Sequence, residues 1–448
     1  MVAGCPVGRP DHRRVLKRQL GWLVERGLLR QLIERQLERR RLGLSLVTVT
    51  PAVVEPADQT RSGVQRPLGP WAFAGVAISS FGGPLALAAL GAPGLIGDAS
   101  NSAGLAMLAA VAVFTIPLAI WLRYSRHVAS SGGLYAFVEA AAGRRVAIAQ
   151  AAIWIVSYLL YLVYTTVQIV YDVLPAAIPG EHSYQTLLAL AIPVTIAGVM
   201  IAGRTAALIV FGLIAAAQVA LAGVLDGVTL AHISTPASTF GTGAAAGSLT
   251  KASAQTSLLY ICGSLPLFLG GELARPARTI RRGLTGAYAL TAGVVILAVA
   301  PFAAAPGLAN TDVPGVSIAQ QFSGPGLADA IGVGVAVSIA GVMLAEYLAL
   351  TRLVPAITHW PRRRVTAAIG AVLVLAAPFS LIDPQGFYSS LLKPSLAALW
   401  VSQLIVFAVY PLFARKRRWR TLPAWTLGAG ASALAVYGLV ITFQQTAS

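Results

Sequence analysis

The chain has 448 residues, of which 56% are hydrophobic and only 11% are charged. A soluble protein of this size carries about 25% charged residues, so the composition excludes an ordinary soluble domain and indicates an all-α, multi-pass membrane protein. The net charge of +17 suggests nucleic acid as a partner, but the positions of the basic residues argue against it.

The N-terminal segment, 1–67, is basic and precedes every long apolar run. Within 12–42, leucine and isoleucine recur at helical spacing among arginines, which predicts an amphipathic helix on the surface of an anionic membrane. A disordered basic tail, or translated sequence upstream of the true start, fits the same residues. The stretch 48–67 is proline-rich without apolar periodicity, and this pattern is typical of a linker.

Apolar segments of about 20 residues, long enough to cross a ~30 Å hydrocarbon core, fill the rest of the chain. We expect eleven crossings, at 70–92, 103–122, 147–174, 184–202, 205–225, 253–272, 284–305, 328–351, 366–382, 389–413 and 423–443. The first ten make a core at 68–415. A basic loop and one additional crossing occupy 416–448.

Basic residues are distributed unequally between the two sets of connections. The connections after even-numbered crossings hold 18 Arg and Lys residues, whereas the opposite set holds only Lys251 and Lys393. Because positive residues favour the cytoplasmic side, we expect a cytoplasmic N-terminus and a location in the cell membrane. The excess charge then reflects topology, and no nucleic-acid partner is predicted.

The first and sixth crossings are both interrupted by glycine followed by proline. The sequence Ser-Ser-Phe-Gly-Gly-Pro-Leu-Ala-Leu occupies 79–87, and Ile-Cys-Gly-Ser-Leu-Pro-Leu-Phe-Leu occupies 261–269. We expect unwound stretches at 81–83 and 262–265, with Pro84 and Pro266 beginning the next half-helices. Five crossings separate the breaks, which predicts two inverted copies of five helices. Gly and Pro are also common in membrane helices for packing reasons, but two breaks in opposed positions favour a substrate site.

Such breaks expose peptide groups that bind charged cargo. Free N–H groups at Gly82, Gly83 and Leu85, at a helix N-terminus, suit a carboxylate. Carbonyls of the segment that ends near Cys262 suit an ammonium group, so a zwitterion is the expected ligand. The residues predicted to bind or enclose it are Ser79, Ser80, Phe81, Gly82, Gly83, Tyr158, Cys262, Gly263 and Ser264.

Polar residues elsewhere in the crossings add candidates. Tyr158 shares one face of the third crossing with Tyr161 and Thr165, which predicts pathway lining or, alternatively, hydrogen bonds between helices. An ionisable residue at membrane depth is a functional candidate, so Glu346 is expected either to relay protons or to pair with a nearby arginine. Glu272, which precedes an arginine-rich loop, is expected to form salt bridges that hold an inner gate.

Three stretches carry a family resemblance: the small-residue-rich run at 77–87, Ser-Gly-Gly-Leu-Tyr-Ala-Phe at 131–137, and Gly-Glu at 271–272 followed by Arg-Pro-Ala-Arg-Thr-Ile at 275–280. On these the chain resembles the amino acid–polyamine–organocation (APC) permeases over about 68–415. The resemblance implies a five-plus-five inverted-repeat fold with broken helices 1 and 6 and a rocking mechanism. It also implies amino acids or amines as cargo, with H⁺ or Na⁺ as candidate coupling ions.

The chain departs from the family in three places. Phe-Gly-Gly-Pro at 81–84 stands where relatives read Ser-Gly-Ile-Phe, and Cys262 stands where many carry an aromatic residue. One crossing follows the tenth, whereas members commonly have twelve in all.

The sequence therefore predicts a permease with no catalytic residues, no metal and no cofactor. A transport-inactive nutrient sensor of the same fold, signalling through the basic N-terminal segment, is the alternative. Deletion of residues 1–60 discriminates between the two, because a permease keeps its uptake without that segment.

Overall fold

The apolar segments are helices in the structure, a computed structural model that describes residues 67–178, 184–232, 239–299, 307–308, 311–417, 419 and 421–444. The predicted surface helix at 12–42 and most of the predicted linker lie outside the described residues. Across the described ranges there is no β-strand, and one isolated bridge pairs Leu68 with Leu273.

The helices are numbered α1 to α16 in chain order. They are α1 Pro70–Ser80, α2 84–96, α3 Ala103–Ser125, α4 Leu134–Ala142, α5 Arg144–Ala177, α6 Tyr184–Ile201, α7 Arg204–His232, α8 Ala246–Leu258, α9 Ile261–Glu272, α10 Pro276–Ala298, α11 Pro314–Ser323, α12 Pro325–Thr358, α13 Arg362–Leu381, α14 Pro384–Ala408, α15 Tyr410–Lys416 and α16 Thr421–Gln444. Helix α9 is a 3₁₀ helix, and π-helical turns occur within α2 and α5.

The described part of the chain contains ten helical segments long and apolar enough to cross a membrane. They are Pro70–Gly91, Ala103–Ser125, Arg144–Ala177, Tyr184–Ile201, Arg204–His232, Ala246–Glu272, Pro325–Thr358, Arg362–Leu381, Pro384–Lys416 and Leu422–Gln444. Apolar side chains such as Leu187, Leu213 and Leu375 are largely exposed on the outside of this bundle, as expected for contact with lipid. The chain is therefore built as a multi-pass membrane protein.

The predicted seventh crossing, 284–305, is the one without a counterpart among these ten. Its first half lies in α10, which begins with Pro276 and carries three arginines in its first turns. Residues 300–306 are outside the described ranges, so whether this helix also crosses stays a prediction.

The two longest helices, α5 and α12, have 34 residues each and begin in the same way. Each follows a shorter helix, α4 or α11, that ends at a glycine with a φ of 92° at Gly143 and 87° at Gly324. In each case the glycine N–H donates to the carbonyl four residues earlier, at Glu139 or Gln320. Positive φ disfavours any side chain, so both junctions require glycine.

Helix packing joins the first half of the bundle to the second. Helix α1 packs on α10, and α3 packs on α8; α7 packs on α12, and α5 packs on α14. Helix α6 packs on α13, and α5 and α12 pack on each other. The buried core therefore runs between the halves, and the two predicted breaks lie within it.

Candidate functional site

The first predicted break is present between α1 and α2. Phe81, Gly82 and Gly83 are not helical, and the two glycines have φ values of 83° and 74°. Pro84 begins α2, as predicted, because a helix's first residue needs no N–H partner. Gly82, Gly83 and Leu85 thus lie at the N-terminal end of α2, where the first N–H groups of a helix have no partner within it.

The second break differs from the prediction. The α-helical ladder ends at Leu258, and after a turn the chain continues as the 12-residue 3₁₀ helix α9, which contains Pro266. The prediction that Pro266 begins a new half-helix is therefore wrong. Residues 262–265 are not unwound but belong to a helix with a tighter 3₁₀ winding. Runs of 3₁₀ helix beyond three or four residues are uncommon and often mark a functional site or strain.

The two interruptions touch each other through Phe81 and Gly263. The Phe81 ring is fully buried and lies against Gly263, where a Cβ atom would overlap the ring. The same ring packs on Tyr288 with centroids 5.5 Å apart and edge-on to Phe114 at 6.5 Å. Gly263 is thus required by the close approach of an aromatic ring, and the two interruptions form one buried centre.

A first polar group, called the Gln218 cluster, consists of Ser79, Gln218 and Ser338 and lies beside Gly83. Ser338 Oγ donates to Gln218 Oε1 at 2.6 Å, and Gln218 Nε2 donates to Ser79 Oγ at 3.3 Å. Ala86 N–H donates to Ser338 Oγ at 3.4 Å, so α12 supplies a cap for α2. A Cβ at Gly83 would lie 3.0 Å from Gln218 Oε1 and overlap Ser338 Oγ.

A second polar group, called the Cys262 cluster, consists of Tyr158, Cys262, Ser264 and Gln403. Tyr158 Oη lies 3.9 Å from Cys262 Sγ, and Gln403 Nε2 lies 3.4 Å from Ser264 Oγ. All four residues are buried. The cluster joins α5 and α14 to α9, so the second interruption has polar neighbours from two helices.

Glu346 is fully buried on α12, which packs on α5 and α9, and within the described residues both of its carboxylate oxygens have no hydrogen-bond partner. The expected pairing with a nearby arginine is not seen. Arg352, six residues later, donates instead to Glu272 and Thr351.

Glu272 joins three arginines at one end of the bundle. Its carboxylate lies 3.3 Å from Arg204, 3.1 Å from Arg352 and 3.0 Å from Arg362. The expected salt bridges are therefore confirmed. The backbone carbonyl of Glu272 also accepts a 2.8 Å hydrogen bond from Leu68 N–H, which ties the entrance of α1 to the end of α9.

The structure brings most of the predicted site residues together, with one exception. Phe81 and Gly263 form the contact between the breaks, and Ser79 and Gly83 lie at the Gln218 cluster. Tyr158, Cys262 and Ser264 form the Cys262 cluster. Ser80 instead donates to the carbonyl of Val76 at 2.6 Å, within its own helix. Sequence reasoning missed Gln218, Ser338 and Gln403. A polar residue in a mainly apolar helix is the signal that each offered, but that signal does not say which neighbour the side chain meets.

Comparison with known protein families and with curated proteins found no match.

Proposed function

We propose that this chain is a secondary transporter, of the APC type, that moves amino acids or related amines across the cell membrane by alternating access. The observation that carries the proposal is the contact of two interrupted helices, at Phe81 and Gly263, inside the buried core. Non-helical backbone at membrane depth is tolerated where it is enclosed by protein and lines a cavity, and substrate sites of transporters are built at such places.

An inverted repeat is part of the proposal, and the matched junctions at Gly143 and Gly324 support it. In each half a short helix ends at a left-handed glycine and a 34-residue helix follows. In each half the interrupted helix comes before this junction in the chain, at 81–83 in the first half and near 263 in the second. If each copy contains five crossings, corresponding helices of the two copies cross the membrane in opposite directions.

The packing pairs also support two copies. If α1 corresponds to α8, α3 to α10, α5 to α12, α6 to α13 and α7 to α14, the α1–α10 contact becomes α8–α3, and α7–α12 becomes α14–α5. Both members of each pair occur. The α6–α13 and α5–α12 contacts map onto themselves, as contacts across a pseudo-two-fold axis do.

Within this proposal the N–H groups of Gly82, Gly83 and Leu85 hold a carboxylate of the cargo, because they lie at the positive end of α2. Cys262, Gly263 and Ser264 hold the amino group, and Ser79, Ser80, Phe81 and Tyr158 shape and close the pocket. The Glu272 ion pairs form the inner gate, on the cytoplasmic side with the N-terminus. H⁺ and Na⁺ are the candidate coupling ions.

Reconstitution into liposomes tests the function. Uptake of labelled amino acids and amines is measured with and without a pH or Na⁺ gradient, in the wild type and in Gly83→Leu. The variant places a large side chain at positive φ against Ser338, so we expect uptake to fall to background while the protein still inserts.

The matched control is Gly223→Leu, at a glycine on the exposed side of α7 with open space around it. It adds the same side chain to a membrane helix without touching the breaks, so its uptake should equal that of the wild type. Wild-type-like uptake by Gly83→Leu would remove the site. Absence of any uptake by the wild type across the panel would overturn the transport function.

A further inference from the structure

Two carboxylates, Glu346 and Asp226, are buried in the bundle with no hydrogen-bond partner among the described residues for any of their four oxygens. Moving an ionised carboxylate out of water is unfavourable by several kcal/mol unless a positive charge or hydrogen bonds replace the water. Ionisable groups at membrane depth are accordingly rare and mark functional positions. The two residues differ in what surrounds them.

The position of Glu346 is defined by the helix that carries it. Glu346 follows Ser338 by eight residues of α12, which places it about 12 Å further along the helix axis and about 80° further around it. Ser338 contacts the first interruption. Helix α12 packs on α5, which carries Tyr158, and on α9, which carries Cys262.

Several aromatic rings lie on α5, one of the helices that pack on α12. Trp154 lies 4.1 Å from Tyr158, centroid to centroid, and Tyr161 lies 6.2 Å from Tyr158. Electron-rich faces of tryptophan and tyrosine attract ammonium and guanidinium groups, and a desolvated carboxylate attracts them more strongly. Such a combination of groups favours a cation over a neutral molecule.

The protein itself supplies no such cation in the described part of the chain. Arg352, six residues further along α12, is held by Glu272. The arginines that flank it, Arg204 and Arg362, are held by the same carboxylate. The positive charge that Glu346 lacks therefore has to come from a ligand or from a proton.

We propose that Glu346 binds a positively charged group of the cargo, so that the transported molecule is a basic amino acid or an amine rather than a neutral amino acid. This proposal rests on the proposed transport function and assigns its substrate class. The cationic group binds at the Glu346 carboxylate, on the helix that packs against α5 and α9, and the rest of the molecule extends toward the break at Gly83.

Asp226 provides a matched control. Arg204 at the start of α7 and Arg352 near the end of α12 meet on Glu272, so the two helices are antiparallel and share one end. Gln218 of α7 meets Ser338 of α12, and each carboxylate lies eight residues beyond that contact, in opposite directions. The two acids are thus about 24 Å apart along the bundle, and Asp226 is remote from the Cys262 cluster.

The test compares a neutral amino acid, L-leucine, with two cations, L-arginine and putrescine. Uptake into proteoliposomes and the ligand-induced rise in melting temperature of the purified full-length protein are measured for each. We expect the wild type to take up and be stabilised by at least one cation, and to prefer it over leucine by tenfold or more. Glu346→Gln should lower cation uptake at least tenfold, Glu346→Asp should retain part of it, and Asp226→Asn should leave the cation-to-leucine ratio unchanged.

Several results would overturn the proposal while leaving transport intact. One is leucine uptake by the wild type that neither cation inhibits. Another is normal cation uptake by Glu346→Gln. A third is a decrease of uptake in that variant that is equal for leucine and for the cations. Retained cation exchange with loss of gradient-driven uptake in Glu346→Gln would assign a proton to the carboxylate instead. If Glu346→Gln does not fold, the preference of the wild type for a cation over leucine decides whether the proposal stands. Neither uptake nor stabilisation by any compound would overturn the transport function itself.

Discussion

The two interruptions meet in one buried centre, yet their backbones are different. At 81–83 the helix is fully broken, and two consecutive glycines adopt left-handed φ values. At 261–272 the chain stays helical in a tighter 3₁₀ form, and Gly263 is not among the positive-φ glycines of the described residues. The first interruption therefore depends on backbone conformation, and the second depends on the absence of a side chain beneath Phe81. Variants at the two glycines separate these causes.

The largest effect is expected at Gly83. Gly83→Ala adds backbone strain of about 1–2 kcal/mol at positive φ, and its overlap with Ser338 adds about 1–3 kcal/mol. We expect a lower melting temperature and a strong loss of uptake. Ser338→Ala removes the overlap but not the backbone strain, and it also removes the hydrogen bonds of this hydroxyl with Gln218 and Ala86. Measured against Ser338→Ala alone, the double variant should therefore still be destabilised. Full recovery in the double variant would show that backbone conformation is not what requires glycine here.

A smaller and reversible effect is expected at Gly263. Gly263→Ala forces its new methyl group into the Phe81 ring, an overpacking effect of about 1–3 kcal/mol. Phe81→Leu removes the ring edge that the methyl group meets. The double variant should therefore lose less free energy of unfolding than the two single variants lose together, by about 1 kcal/mol or more. Thermal unfolding of all four proteins measures this coupling. Additive changes would contradict the close approach of ring and glycine.

The smallest effect is expected for the two glutamine side chains, Gln218 and Gln403, that form hydrogen bonds next to the two interruptions. Gln218 makes two hydrogen bonds in its cluster, whereas Gln403 makes one long contact with Ser264. Gln218→Ala leaves two buried hydroxyls with fewer partners and should destabilise the protein by about 1–3 kcal/mol, and Gln403→Ala should do so by less than about 1 kcal/mol. The difference in melting temperature checks the order. The reverse order would mean that the second interruption is the more strongly supported of the two.

Sequence patterns located the membrane helices well because hydrophobicity over 20 residues depends little on neighbours. They also located the first break, since Gly82, Gly83 and Pro84 restrict the backbone locally. The same argument failed for Pro266. Glycine lies three residues before that proline rather than next to it, and whether such a stretch unwinds or tightens depends on what packs on it.

Polar contacts across the bundle were the least predictable part. Glutamines at 218 and 403 and the serine at 338 look alike in the sequence, because each is one of several polar residues in a mainly apolar helix. The arginine partners of Glu272 come from α7, α12 and α13, and only the folded chain brings them to one carboxylate.

By itself, then, the amino-acid order settled that this is a helical chain of membrane-crossing length with a glycine–proline break in its first apolar segment, because these properties follow from local hydrophobicity and backbone sterics. Tertiary structure alone decided that the second segment tightens into a 3₁₀ helix and that Phe81 covers Gly263. It also decided that Arg352 pairs with Glu272, while buried Glu346 has no hydrogen-bond partner in the described part of the chain. These outcomes depend on which helices are neighbours, and residues 80 or more positions apart determine that jointly.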